Sequence, residues 1–354
     1  MKAVILAGGF GTRLRPLTLD VPKPIVPIFD RPFLYYQTDL LRQVPEIDEV
    51  VLSLNYRPDR IEARVGDGTD AGVPLRYVVE PDPLGTGGAI KYASAGIDDT
   101  LVVLNGDVLT GIDLQAVVHR HRERRARATI VLTPVHDPSA YGVVETDNEG
   151  NVLRFLEKPN PDQITCNTIN AGIYILEPET FDRIPDGTKW SIERQYFPSL
   201  VERGETFVTY VDQGYWLDIG TPTSYVRAHR DLMAQRCGAG PFVGQPPGTV
   251  FQDGDCQIAQ DAEIEGPCFL GAGCVVGAGA RIGAQTVLGA GCTIGPGAVV
   301  ERSILWRDTL VDRQALVRDA VLGARCHIEH HAEVGLGAVL GSRSTLTAYS
   351  RMPQ

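Results

Sequence analysis

The sequence predicts an α/β chain: a Rossmann-like mixed, mostly parallel sheet over residues 1–235, then a left-handed parallel β-helix over 251–349. Three observations predict this. Short continuous apolar runs alternate with stretches of helical composition up to about residue 235. A six-residue aliphatic period governs the last third, and residues 236–250, with Gly-Ala-Gly-Pro and Gln-Pro-Pro-Gly, read as a Gly/Pro-rich linker.

In the first part, Ala3–Leu6, Val50–Leu54, Leu101–Leu104, Thr129–Val135 and Gly172–Leu176 read as strands. Leu34–Val44 and Leu114–Ala126 read as helices. Continuous apolar strands separated by helices call for a sheet covered on both faces. Ligands of such sheets bind outside the carboxyl ends of the strands.

In the last part an aliphatic residue recurs at Ile258, Ile264, Leu270, Val276, Ile282, Leu288, Ile294 and Val300. The phase then slips by four residues and resumes at Leu310, Leu316, Leu322, Ile328, Val334, Leu340 and Leu346. Neither a helix nor an alternating strand has this period. It is the mark of a hexapeptide solenoid whose aliphatics point inward, three hexads to a coil, and about five coils follow. The slip at 301–309 predicts a bulge or small protruding loop.

With 33 Lys+Arg against 44 Asp+Glu the net charge is −11, which disfavours a nucleic-acid binder or a chain held on anionic lipid. Residues 1–24 run the other way, with Lys2, Arg13, Arg15 and Lys23 against Asp20. The basic run Arg120, Arg122, Arg124, Arg125 and Arg127 reads as a solvated helix face. Seven scattered cysteines without a Cys-x-x-Cys pair fit neither a disulfide framework nor a zinc site and predict reduced thiols in a cytoplasm. The apolar run at the start is five residues, too short for a signal peptide, and no stretch approaches a membrane span.

The first strand runs into Leu6-Ala7-Gly8-Gly9-Phe10-Gly11-Thr12-Arg13, a turn whose backbone N–H groups can cradle phosphate. Its spacing matches neither the dinucleotide fingerprint nor the P-loop. Prolines on both sides of Lys23 fix the backbone there, as a positioned charge requires. Asp107 follows a buried strand, and Asp218 lies in a second such position 111 residues on. Two carboxylates from separate strand ends make a hard-oxygen site suited to Mg²⁺, which takes its other ligands from phosphate and water.

Gly8–Thr18 with Pro22-Lys23-Pro24 resembles the signature of the sugar-1-phosphate nucleotidyltransferases. Phe155-Leu-Glu-Lys-Pro159, Ile169–Tyr174, Ser191–Pro198 and Trp216–Pro222 most resemble the mannose-1-phosphate guanylyltransferases among them. The resemblance implies transfer of a nucleotidyl group from a nucleoside triphosphate to a sugar 1-phosphate, with release of pyrophosphate. It implies catalytic Arg13 and Lys23, and Mg²⁺ on Asp107 and Asp218. The nucleotide would meet Leu6, Ala7, Gly8, Gly9, Gly11, Thr12, Glu80, Pro83, Gly85, Thr86, Asn105 and Gly106. The sugar phosphate would meet Gly142, Glu157, Lys158 and Asn170.

Glu80 stands where thymidylyl- and uridylyl-transferring relatives carry Gln. An acceptor-only carboxylate matches the adjacent N1–H and N2–H₂ donors of guanine, which favours GTP. Other readings stay open: thymidylyl, uridylyl or adenylyl transfer to glucose 1-phosphate, guanylyl transfer to a heptose 1-phosphate, or a silent regulatory subunit that binds nucleotide-sugar. His327, His330 and His331 leave an acyltransferase reading of the solenoid. Its flat faces and open end predict a homo-oligomer.

Overall fold

The computed structural model describes residues 1–352. They form two compact units, one of Met1–Gly9 with Leu34–Leu217, the other of Phe10–Phe33 with the chain from Asp218 onward. Among the described residues no helix is long and apolar enough to cross a membrane. Segment 10–33 thus clusters with the C-terminal part although it lies early in the chain. The expected linker is itself packed. Phe242, 1% exposed, lies 5.4 Å from Phe29 and 5.7 Å from Phe251, ring to ring.

The first unit is built on a nine-stranded mixed sheet. Strands Leu101–Asn105, Lys2–Leu6, Val50–Leu54 and Leu75–Val79 are parallel neighbours in that order. Thr168–Leu176 runs antiparallel to Leu101–Asn105 and carries Ala128–Pro134 and Gly142–Thr146 beyond it. Val4, Val51 and Val103 have no exposed surface, as strands covered on both faces require. Helices α1 (Phe33–Leu41), α2 (Pro58–Val65), α3 (Gly85–Ala93), α4 (Leu114–Glu123) and α5 (Phe197–Glu202) join the strands. α4 begins where the Asp113 carboxylate accepts from the Ala116 N–H at 3.0 Å.

The second unit holds α6 (Pro222–Met233), opened by a Thr221–Ser224 capping box, and the β-helix. Two- and three-residue strands stack into three parallel sheets of six, six and five strands. Leu288, Ile294 and Val300 fill the prism, each at most 1% exposed.

The expected loop at 301–309 is absent. Ile304–Leu305 is a strand within that stretch, paired with Val287–Leu288. Leu288 pairs with Leu305 and Leu305 with Leu322, so two successive coils have 17 residues where the others have 18. The inward residues are therefore Leu305, Val311 and Val317, all 0% exposed, and not Leu310 and Leu316. Both members of Leu310-Val311 and of Leu316-Val317 are aliphatic, so a period alone picks the wrong one. The two shortened corners carry Arg302 and Asp319 in left-handed conformation, φ 49° and 46°. Their side chains pair through two hydrogen bonds of 2.9 and 2.7 Å.

Candidate active site

In the first unit the carboxyl ends of four adjacent parallel strands gather most of the expected nucleotide residues. Leu6 is in register with Asn105 and with Ser53, and the Ala7 N–H donates to the Ser53 carbonyl at 2.9 Å. The Gly106 N–H donates to the Leu6 carbonyl at 3.0 Å, and a Cβ on Gly106 would collide with that same oxygen. This close approach is why the turn before Asp107 needs glycine. Gln37, buried on α1, donates to the Asn105 carbonyl at 2.7 Å and holds the turn from within.

Glu80, 8% exposed, closes its own loop. One carboxylate oxygen accepts from Ser53 Oγ at 3.1 Å, the other from the Leu84 N–H at 2.9 Å. A Cβ on Gly8 would lie 3.6 Å from Glu80 Oε1, so the phosphate turn and the expected base reader share one wall. Gly85 opens α3 at φ +70°, and a Cβ there would sit 2.8 Å from the Trp190 carbonyl oxygen. That oxygen accepts from the Gly87 and Gly88 N–H groups at 2.9 and 3.1 Å. Packing against Trp190 requires glycine here. Pro83 is exposed in the same loop, and Gly9 is exposed beside the turn.

The sugar-phosphate residues also converge. Gly142 pairs with Glu157, and a Cβ on Gly142 would meet Glu157 Oε2 at 3.1 Å. Burial raises the Glu157 pKa, with a contribution from Glu193, while Lys158 and Arg194 oppose the rise. Lys158 is held at φ 49°, its N–H donating to the Tyr141 carbonyl at 3.1 Å. A lysine in left-handed conformation beside a half-buried carboxylate is local strain of the kind that clusters at functional sites. Asn170 donates through Nδ2 to Tyr174 Oη at 2.9 Å and accepts from the Gly172 N–H at 2.9 Å.

Glu193 is a residue that the expected set lacks. It accepts from Thr86 Oγ1 at 2.8 Å and from Ser191 Oγ at 2.7 Å, and its charge reaches Glu157. It thereby ties the nucleotide loop to the sugar group. The motif Ser191–Pro198 contains it, but only the fold shows that its carboxylate turns toward Thr86. Trp216 packs edge-on to Tyr141 at 5.6 Å and donates to the Ala171 carbonyl at 2.9 Å, a packing role.

Asp107 belongs to the first unit, and Gly11, Thr12, Arg13, Lys23 and Asp218 belong to the second. Gly11 has φ +61° and is followed by a short 3₁₀ turn, Thr12–Leu14. Asp218 lies 3.6 Å from the Arg13 guanidinium and 4.0 Å from the Lys23 ammonium. Arg13 is 65% exposed and Lys23 13%, one cation open to solvent and one enclosed. A Cβ on Gly220 would approach Arg13 at 2.8 Å and Asp218 at 2.9 Å, so this trio also needs a bare backbone.

The donor chemistry fits Mg²⁺. Two residues before Asp107, the buried Asn105 Oδ1 has no hydrogen-bond partner, an oxygen of the hard class this ion takes. Among the described residues no three His, Cys, Asp or Glu side chains converge as a cage. An ion held by two carboxylates would complete its shell with phosphate and water.

Fold and site define a nucleotidyl-transferring α/β domain joined to a hexapeptide β-helix. A nucleotidyl transferase family model matches residues 2–235, and a model of the EIF2B subunit epsilon LbH domain matches residues 247–351. The chain belongs to the nucleotidyl transferase family. It is 42% identical over 280 residues to the mannose-1-phosphate guanylyltransferase of Mycobacterium tuberculosis, covering 77% of this chain and 76% of that protein. It is 37% identical over 287 residues to the UTP–glucose-1-phosphate uridylyltransferase of Synechocystis sp., covering 77% and 74%. Among solved structures, HddC from Yersinia pseudotuberculosis complexed with GMP-PN shares 32% identity at a TM-score of 0.56, covering 65% of this chain and 99% of that one.

Proposed function

We propose that this protein transfers guanylyl from GTP to mannose 1-phosphate, giving GDP-mannose and pyrophosphate. The observation that carries the reading is Asp218 between Arg13 and Lys23 on glycine-lined backbone. A phosphate oxygen of the sugar phosphate attacks the α-phosphorus, and pyrophosphate leaves in line. The nucleophile is already anionic at neutral pH, so no general base is needed. What the chain must supply is positioning and neutralisation of charge between two polyanions.

Arg13 and the Gly8–Gly11 turn hold the triphosphate and stabilise the leaving pyrophosphate. Lys23 binds phosphate at the reaction centre, and Lys158 holds the incoming phosphate. Glu157 and Asn170 accept from or donate to sugar hydroxyls, and Glu80 reads guanine. Asp107 and Asp218 would hold Mg²⁺, which would supply Lewis-acid neutralisation of the phosphates.

The guanine and mannose named for the Mycobacterium tuberculosis relative support this pairing, and an acceptor-only carboxylate at Glu80 suits guanine. A cytoplasmic setting is supported by seven free cysteines among the described residues. A homo-oligomer through the β-helix is supported by exposed Leu336 and Tyr349 on its last coils. The test is pyrophosphate release in a matrix of GTP, ATP, UTP and dTTP against mannose, glucose and heptose 1-phosphates, with and without Mg²⁺. Fastest turnover with GTP and mannose 1-phosphate is expected. Silence across the whole matrix would leave the regulatory reading instead.

A further inference from the structure

Segment 10–33 contains a hairpin in which Pro27–Ile28 pairs with Arg31–Pro32. Its two-residue turn, Phe29 and Asp30, is left-handed at both positions, φ 50° and 62°. Turns of this shape favour Asn-Gly or Asp-Gly, and a phenylalanine in the first place is an outlier for a bulky side chain. Such strain persists only where the surroundings over-determine it.

Here the surroundings are the β-helix and its approach. The Phe29 ring is 3% exposed and lies 5.0 Å from the His229 ring, 5.4 Å from Phe242 and 5.3 Å from Phe269. The Asp30 carboxylate accepts from the Ala290 N–H at 2.5 Å, and a Cβ on Gly289 would meet it at 2.8 Å. A second grip takes the hairpin's first strand. The Pro27 carbonyl accepts from Tyr225 Oη, which itself accepts from Trp306 Nε1 at 2.9 Å.

The hairpin is wired to Lys23. The Val26 N–H donates to the Lys23 carbonyl at 3.2 Å, and the Phe33 N–H donates to the Val26 carbonyl at 3.0 Å. Lys23 itself is enclosed beside Asp218. We propose that Phe29 and Asp30 are positioning residues: the hairpin tip plugs into the β-helix and so sets where Lys23 stands. The solenoid then serves turnover through a cation placed outside it in sequence. This inference rests on the reading of Lys23 as a phosphate-binding group.

The test is a set of double-mutant cycles in the full-length chain, read as kcat and KM. Phe29→Ala and Asp30→Ala are each expected to lower kcat by about tenfold or more, with KM for the triphosphate within about threefold. Asp30→Asn keeps an acceptor for the Ala290 N–H and tolerates the left-handed conformation, so it should recover most of the loss. In a Lys23→Ala background the same substitutions should cost under about twofold, since their effect runs through Lys23. A lower folded fraction would instead multiply kcat equally in both backgrounds.

A Lys23→Ala protein as fast as wild type would remove the reading of Lys23 itself. A slow Lys23→Ala protein in which Phe29→Ala and Asp30→Ala retain their full cost would overturn the positioning inference alone. If Phe29→Ala does not fold, the Asp30→Ala and Asp30→Asn pair decides by the same cycle.

Discussion

The buried His229 makes the second unit acid-labile by a calculable amount. Its Nδ1 bonds the Tyr225 carbonyl at 3.0 Å, its Nε2 is buried without a partner, and its ring lies between Phe29 and Tyr225 at 5.0 and 4.7 Å. Burial pushes its pKa down from 6.5 to about 4. The native state therefore refuses a proton that the unfolded chain accepts below its ordinary pKa. Stability from this residue is complete at neutral pH and is lost as pH falls from about 6.5 toward 4, below which both states are protonated. Linkage gives a loss of about 2 kcal/mol by pH 5 and about 3 kcal/mol in full.

The assay is urea unfolding of wild type and His229→Phe at pH 7.5 and 5.0, followed by tryptophan emission, since Trp306 bonds Tyr225 beside the histidine. Phenylalanine keeps a ring in the site and cannot titrate. Carboxylate contributions are common to both proteins and cancel in the difference. The stability difference between the two proteins should fall by about 2 kcal/mol between the two pH values. An unchanged difference would refute the account of His229 as a neutral buried ring.

Asp107→Ala or Arg13→Ala should lower kcat by about a hundredfold or more, the scale of one lost charge stabiliser, as read by pyrophosphate release. Glu80→Gln should narrow the preference for GTP over UTP and dTTP in competition assays; an undiminished preference would assign base choice elsewhere. Gly85→Ala forces a Cβ to 2.8 Å from the Trp190 carbonyl at φ +70° and should cost about 1–3 kcal/mol in denaturant unfolding. In the β-helix, Leu305→Ala should cost about 2–5 kcal/mol, and the half-buried Leu310→Ala clearly less. Equal costs at 305 and 310 would contradict the shortened coils.

How legible the fold was depended on whether a signal is local. Val50–Leu54 and Leu101–Asn105 are buried on both faces, so composition alone marks them. The hexad period identifies the prism for the same reason, because every coil repeats one demand for an inward aliphatic. Register was lost only where two aliphatics stand side by side, at 310–311 and 316–317, and a corner closed one residue early. There the choice is made by stacking on the coil below, through Leu288 and Leu305, which no short window contains.

The site divides along the same line. Gly106 and Gly142 are readable as glycine in a motif, and the structure supplies the colliding atom, the Leu6 carbonyl in one case and the Phe155 ring and Glu157 in the other. Glu193 was hidden because its work is done across 107 residues, on Thr86. Asp30 was hidden for a stronger reason. Its partner is the Ala290 N–H, 260 residues away, and a backbone donor has no residue type to recognise. Phe29, by contrast, stands out once the backbone is known: a bulky residue followed by aspartate, both at positive φ, is a poor hairpin turn by local rules. Local rules fail where distant packing outweighs them. A turn that violates its own chemistry is thus a pointer to a long-range contact, and here that contact lies six and seven residues after the enclosed cation Lys23.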